Sequence, residues 1–295
     1  MKLTVFTPTY NRAYIIENLY RSLQRQTCHD FEWLVIDDGS TDNTYELFEK
    51  WQKENNFFQI RYQKCKNEGK QQQINRALDL AQGILFFTVD SDDVLVPHAL
   101  EFVIKWEESI QDKERFCALA GSHGDMQGNP TNPTFSEEYV DASFFDRNPE
   151  AEKFIGFDRP WVFYTDIHRR YKYPQYHGER FITEAVAWNR MAADGYRVRC
   201  FNDAIYLWEH QSDGYTYAIQ DILRKNPYGY GLWKKELLEF EKAGLIKRIK
   251  TYYCFYEDLR LMYTWKDISA FIEAPRWMMI IAILYYYLRW RWLCE

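Results

Sequence analysis

At 295 residues and a net charge of -6, the chain has room for one large α/β domain, alone or with a smaller appendage. The charge is uneven, because residues 220–295 carry 13 Lys or Arg against 9 Asp or Glu while the stretch before them is strongly acidic. This balance argues against nucleic acid as a partner and leaves a basic, aromatic tail suited to an anionic surface.

Leu3-Thr4-Val5-Phe6-Thr7 reads as a short strand closed by Pro8, and Asn11-Arg12 lead into a helix. On that helix Ile16, Leu19, Tyr20 and Leu23 recur at the spacing of one buried face. Phe31 to Ile36 is a second strand, ending in Asp37-Asp38-Gly39-Ser40-Thr41-Asp42; Thr41 or Asp42 caps a helix that carries Tyr45, Phe48 and Trp51. A third strand lies near Ile60 to Tyr62, and a helix with Ile74, Ala77, Leu78 and Ala81 is stopped by Gly83. Ile84-Leu85-Phe86-Phe87-Thr88-Val89 then runs straight into Asp90-Ser91-Asp92-Asp93, three carboxylates with no cation among them. Strands alternating with helices predict a parallel sheet covered on both faces, with ligands bound beyond the carboxyl ends of the strands.

The acidic turn admits two readings. In an extended chain Asp90 and Asp92 leave on the same side and Ser91 on the other. Carboxylates so close repel one another unless a cation offsets them, and Mg²⁺ or Mn²⁺ with oxygen ligands does so while binding phosphate oxygens. The other reading is a cap, with Asp93 starting the helix that Pro97 helps to open. Pro8 to Arg12, Asp37 to Thr41 and Asp90 to Asp93 all follow strands and so share one edge, which favours the first reading.

Pro97 to Ile110 is predicted as a helix and Cys117 to Gly121 as a strand, whereas Ser122 to Asp158 is irregular and long enough for a substrate lid or insertion. Trp161 to Ile167 leads to Tyr171-Lys172-Tyr173-Pro174 and then to His177-Gly178-Glu179-Arg180-Phe181-Ile182-Thr183-Glu184. A helix with Val186, Ala187 and Met191 follows, then strands at Arg197 to Phe201 and Ala204 to Trp208. The last eighty residues read as helical. Their Trp and Tyr clusters flanked by Arg fit either a membrane interface or a second subunit. A helix from Arg276 to Trp292 would be about 25 Å long. Its longest uncharged run, the 12 residues from Trp277 to Leu288, falls short of a spanning segment, so such a helix is expected to lie on a bilayer. Six scattered cysteines without a C-x-x-C pair, and a start without a long apolar run, predict a cytosolic protein with reduced thiols, either free or, through its aromatic tail, peripheral at the inner face of the cell membrane.

Val5-Phe6-Thr7-Pro8-Thr9-Tyr10-Asn11-Arg12, Trp33-Leu34-Val35-Ile36-Asp37-Asp38-Gly39-Ser40-Thr41-Asp42 and Thr88-Val89-Asp90-Ser91-Asp92-Asp93 resemble, in order, the signatures of family 2 glycosyltransferases. The resemblance covers about residues 1–215. It implies a GT-A fold, a Rossmann-like α/β architecture with a mostly parallel sheet flanked by helices. Residues 1–93 would be the nucleotide-binding half and 94–215 the acceptor half, followed by a helical region over 216–295 that associates with membrane or oligomerises. It further implies transfer, with inversion, from a nucleotide-sugar, most commonly a UDP-sugar, to a hydroxyl of a saccharide or lipid-linked acceptor in surface polysaccharide synthesis. Mn²⁺ or Mg²⁺ would be the cofactor.

By the same resemblance Thr7, Pro8 and Tyr10 line the nucleotide pocket, Asp38 reaches the base or ribose, and Arg12 and Ser91 complete the nucleotide-binding set. Lys70, in Asn67-Glu68-Gly69-Lys70, approaches a phosphate or is a solvated loop lysine. Asp90 sits near ribose and metal, Asp92 is the direct metal ligand, and His210 is a third ligand or an ordinary surface histidine. Where many members have a Glu-Asp pair, this chain has Thr183-Glu184-Ala185. Glu184 then serves alone as the base, with Glu179 as substitute, unless it merely stabilises a helix start. Two rivals stand beside this reading. A nucleotidyltransferase acting on a sugar phosphate would want a Gly-rich, cationic first loop that is missing here, and a membrane-associated scaffold would have no need of Asp92.

Overall fold

The alternation of side chains along the first two strands sets up two buried faces. Leu3 and Val5 of β1 (Leu3–Thr9) and Trp33 and Val35 of β2 (Phe31–Asp37) pack with Ile16, Leu19, Tyr20, Phe48 and Trp51. Tyr20 stacks on Trp51 with ring centroids 4.4 Å apart. On the opposite face Phe6 stacks on Phe86 at 5.3 Å.

The computed structural model describes residues 1–208 and 215–293, with side chains over 1–208 and 218–285. After β1 come α1 (Glu17–Gln24), β2, α2 (Thr44–Trp51), β3 (Gln59–Lys64), α3 (Lys70–Leu80), β4 (Leu85–Thr88), β5 (Val94–Leu95) and α4 (Ala99–Glu108). Then follow β6 (Phe116–Gly124), β7 (Tyr139–Ala142), β8 (Trp161–Tyr164), α5 (Thr165–His168), α6 (Ala185–Ala193) and β9 (Arg197–Leu207). The sheet runs β3-β2-β1-β4-β8-β6-β9-β5, with β7 beside β9. Its first four strands are parallel, while β8 is antiparallel to both β4 and β6. The register sets Thr9 opposite Asp37 and Phe6 opposite Thr88, so the loops after β1, β2 and β4 leave the sheet at one edge.

A charge inside this layer holds the junction between α3 and β4. Glu32, fully buried on β2, accepts from Thr4 Oγ1 at 2.7 Å, from the Gln82 backbone N–H at 2.8 Å and from Arg61 Nη1 at 2.7 Å. Such a carboxylate is tolerable inside only because it is paired and hydrogen-bonded. Arg61 also donates to the Leu80 carbonyl at 2.9 Å, which fastens the end of α3 to the sheet. Gly83 comes so close to β1 that its N–H donates to Thr4 Oγ1 at 2.9 Å. A Cβ there would lie 2.3 Å from the Thr4 backbone nitrogen.

Three departures from the expected elements have physical reasons. The strands expected at Arg197 to Phe201 and Ala204 to Trp208 are one strand, β9, whose polar Asn202-Asp203 is taken up by register shifts against β6. The stretch expected to be irregular contains β7, antiparallel to β9 and held by Asp141 accepting from Arg199 at 2.7 and 2.8 Å. Asp93 caps no helix, because β5 intervenes before α4 and its carboxylate is engaged elsewhere.

The chain divides into two compact units: Met1–Lys172 with Arg190–Ser212, and Tyr173–Asn189 with Asp213–Glu295. The second comprises α7 (Tyr215–Lys225), α8 (Pro227–Phe240), α9 (Leu245–Leu259), α10 (Trp265–Phe271) and α11 (Arg276–Leu293), along with Tyr173–Asn189, which includes the first half of α6. Phe181, Tyr230, Leu238, Phe255, Leu259, Ile268 and Met279 share its core.

Gly83→Ala is expected to push β1 away from the α3–β4 junction. Overpacking of this kind costs about 1–3 kcal/mol, read as a lower urea midpoint with the denaturant slope unchanged.

Candidate functional site

At the shared edge, side chains tie the three loops together. Asn11 holds a left-handed backbone conformation (φ 53°), which a short polar side chain tolerates. Its N–H donates to Ser40 Oγ at 2.8 Å, and its Oδ1 accepts from the Thr41 N–H at 2.8 Å. The N-cap of α2 is Asn43, not Thr41 or Asp42; Asp42 instead accepts from the Thr44 N–H and hydroxyl just inside the helix and takes the Ala13 N–H at 2.9 Å. The loop after β1 is therefore latched to the loop after β2 at both ends.

Asp37 and Asp38 point to different tasks. Asp37 is fully buried, accepts from the Ser40 N–H at 2.7 Å and from the Tyr62 hydroxyl, and closes its own turn. Asp38 accepts from the N–H groups of Glu68 and Gly69, at 2.8 and 3.0 Å, and from Gln73 Nε2. Burial pushes the Asp38 carboxyl up, and those donors pull it back down. It thus holds the loop that delivers Lys70 to the start of α3.

Lys70 is no free loop lysine. Its Nζ lies 2.9 Å from Asp90 Oδ1 and 3.0 Å from Oδ2. Arg12 Nη2 stands 3.8 Å from Asp92 Oδ2, a looser electrostatic contact. Tyr206 on β9, buried and missed by motif reading, completes the turn: its hydroxyl accepts from the Asp90 N–H at 3.0 Å and donates to Asp93 Oδ2 at 2.7 Å. The negative charge is nevertheless incompletely offset. Burial, then the charge of Asp90, raises the carboxyls of both Asp92 and Asp93, that of Asp93 to about 8. Half-buried His123, whose ring meets Tyr206 edge-on at 5.1 Å, is held neutral by desolvation and by Arg159, its pKa pushed down to about 4.

An all-oxygen donor set whose carboxyls are driven toward protonation suits a hard divalent cation, for which one or two protein carboxylates and water suffice. Among the described residues no group of three or more His, Cys, Asp or Glu is arranged to hold a metal. His210 lies outside the described residues.

The other expected residues fall as follows. Tyr10 is exposed and Pro8 half-buried at the mouth of the edge, whereas Ser91 is buried beneath the acidic turn. Thr7, expected to line the nucleotide pocket, is fully buried and accepts from Trp33 Nε1 at 3.0 Å; its side chain belongs to the sheet interior. In the second unit Glu184 stands half-buried immediately before α6, its carbonyl accepting from the Ala187 and Trp188 N–H groups. Glu179 is already committed: its oxygens take the N–H groups of Tyr228 and Gly229, at 2.7 and 2.9 Å, in the first turn of α8.

Comparison with known proteins points to one family. The family model described as Glycosyl transferase family 2 matches residues 4–147. A chondroitin synthase of Pasteurella multocida is 33% identical over 142 residues, 46% of this chain but 14% of that protein. A GalNAc(5)-diNAcBac-PP-undecaprenol beta-1,3-glucosyltransferase of Campylobacter jejuni is 32% identical over 104 residues, 35% of this chain and 34% of that protein. The chain thus spans 14% and 34% of these two relatives' length. Among solved structures, S. aureus TarS 1–349 in complex with UDP-GlcNAc superposes with a TM-score of 0.61 at 17% identity, covering 96% of this chain and 89% of that one. The family match displaces the nucleotidyltransferase reading.

Tyr206→Phe removes one hydroxyl and both of its bonds, leaving the Asp90 N–H and the Asp93 carboxylate unpaired. The expected loss is about 1–3 kcal/mol of stability, measured by chemical denaturation without ligand; an unchanged midpoint would show that the hydroxyl does not hold the turn.

Proposed function

Because residues 4–147 are a family 2 glycosyltransferase domain on a GT-A fold, we propose that the chain moves a sugar from a nucleotide-sugar donor to an acceptor hydroxyl, inverting the anomeric carbon. A UDP-sugar is the donor we assign, and a saccharide or lipid-linked saccharide the acceptor. The two relatives support the acceptor class, one named a chondroitin synthase and the other named for an undecaprenol-linked saccharide. The observation that carries the reading is the acidic turn Asp90–Asp93, under-compensated in charge and flanked by the cationic heads of Lys70 and Arg12.

In this reading Asp92, assisted by Asp90, holds Mn²⁺ or Mg²⁺. A bound divalent ion supplies neutralisation of the charge that develops on the departing diphosphate. Lys70 and Arg12, with mobile cationic side chains at the same edge, exchange part of their carboxylate contact for donor phosphate oxygens. Tyr10 offers an exposed ring to the base, Pro8 and Ser91 shape the floor, and Asp38 acts through the loop it holds. Glu184 is the base we assign. As the acceptor oxygen bonds to the anomeric carbon and the bond from that carbon to the diphosphate breaks, the hydroxyl proton passes to the Glu184 carboxylate. Glu179 is set aside because both its oxygens are taken by the start of α8.

Screening nucleotide-sugars for metal-dependent hydrolysis tests the donor class, and turnover of none would return the scaffold reading. Asp92→Asn is expected to abolish Mn²⁺-dependent turnover and weaken nucleotide binding while the circular dichroism spectrum stays unchanged; retained metal-dependent activity would refute the assignment. Glu184→Gln is expected to keep donor affinity and lose transfer by about 10² to 10⁴. Glu179→Gln should instead lower the melting temperature with transfer largely kept, and the reverse pattern would exchange the two roles.

A further inference from the structure

The C-terminal helix has two unlike sides. Met279 and Ala282 are fully buried in the core of the second unit, with Met278 and Ile283 partly buried beside them, and the Tyr285 ring meets Tyr253 of α9 edge-on at 5.2 Å. The helix is therefore built into its unit, and removing it would open that core. On its other side Trp277, Ile280, Ile281 and Leu284 keep between 40% and 56% of their surface exposed. Their spacing makes one stripe along two turns. A scattered exposed apolar residue needs no explanation, but a continuous stripe marks a surface that meets something.

The charge around the stripe selects what it meets. From Arg276 to Cys294 the sequence holds no acidic residue, and its cations, Arg276 before the stripe and Arg289 and Arg291 after it, bracket the apolar run. Arg276 itself is exposed. Two copies of this chain meeting through α11 would set cations against cations with no carboxylate on the helix to pair them, a like-charge contact that opposes association. No helix among the described residues is long and apolar enough to cross a membrane.

We propose that the outer face of α11 docks in the plane of an anionic lipid bilayer. Trp277, Ile280, Ile281 and Leu284 enter the headgroup–acyl boundary, and Arg276 and its fellow cations meet the phosphates. A bilayer also holds lipid-linked acceptors. That connection rests on the function proposed above, whereas docking itself is read by partition and not by transfer.

The test is sedimentation of the full chain with phosphatidylglycerol–phosphatidylcholine vesicles and with phosphatidylcholine vesicles alone. Binding is expected to the anionic vesicles, reduced several-fold when salt rises from about 0.1 to about 0.5 M. Ile281→Glu with Leu284→Glu should weaken partition about tenfold or more, and Arg276→Glu should weaken it on anionic vesicles alone, each with an unchanged melting temperature. Equal sedimentation of the parent chain and the double variant would overturn the proposal. So would a lipid-free dimer that the double variant converts to monomer in the ultracentrifuge, because the face would then belong to a second copy.

Discussion

Crowded negative charge at the end of a buried strand is the constraint around which the first unit is arranged. Asp90, Asp92 and Asp93 leave β4 within four residues, and desolvation raises Asp92 and Asp93 before any neighbour acts. Three distant elements share the load: Lys70 from the start of α3, Arg12 from the loop after β1, and Tyr206 from β9. Each is brought there by a separate device. Asp38 holds the Lys70 loop, Asn11 and Asp42 latch the Arg12 loop, and the strand register carries Tyr206. The remaining imbalance is what supports the proposal of a cation there, since a turn already neutral would gain little from a metal and its phosphate ligands.

A second buried charge organises the segment between β6 and β8. The Arg159 guanidinium is almost wholly inside and donates to the carbonyls of Ile155, Gly121, Phe201 and Pro133, at 2.6, 2.9, 3.0 and 2.6 Å. One side chain therefore satisfies backbone from both flanks of an otherwise loop-rich stretch and pins it to β6 and β9. The composition of this stretch, Gly, Asn, Pro and acids, reads as a loop. A buried arginine bonded only to carbonyls carries no local pattern that would have announced the role.

The motifs were legible because their chemistry is local. An apolar run entering a carboxylate cluster, and a Pro-Thr-Tyr-Asn-Arg turn after a strand, keep their meaning whatever else the chain does. What the sequence leaves illegible shares a cause: the partner of each such residue stands far away in the chain. The cap offered as the alternative for Asp93 gives way to a bond with Tyr206, 113 positions later. Thr7 read as pocket lining, yet its hydroxyl belongs to Trp33. Glu179 read as a spare base, yet it caps α8, 50 positions on. The break expected at Asn202-Asp203 is absorbed by the register between β6 and β9, which no single strand encodes.

By itself the sequence determined the fold class and the order of strands and helices up to the acidic turn. Those follow from side-chain period and from charge counted along a few residues. Only the tertiary structure decided which charges are compensated and by whom, because pairing depends on distances between elements far apart in the chain. It also decided which side of α11 is committed to a core: Met279 and Ala282 are no more apolar than Ile281 and Leu284, and packing against α9 alone separates buried from exposed.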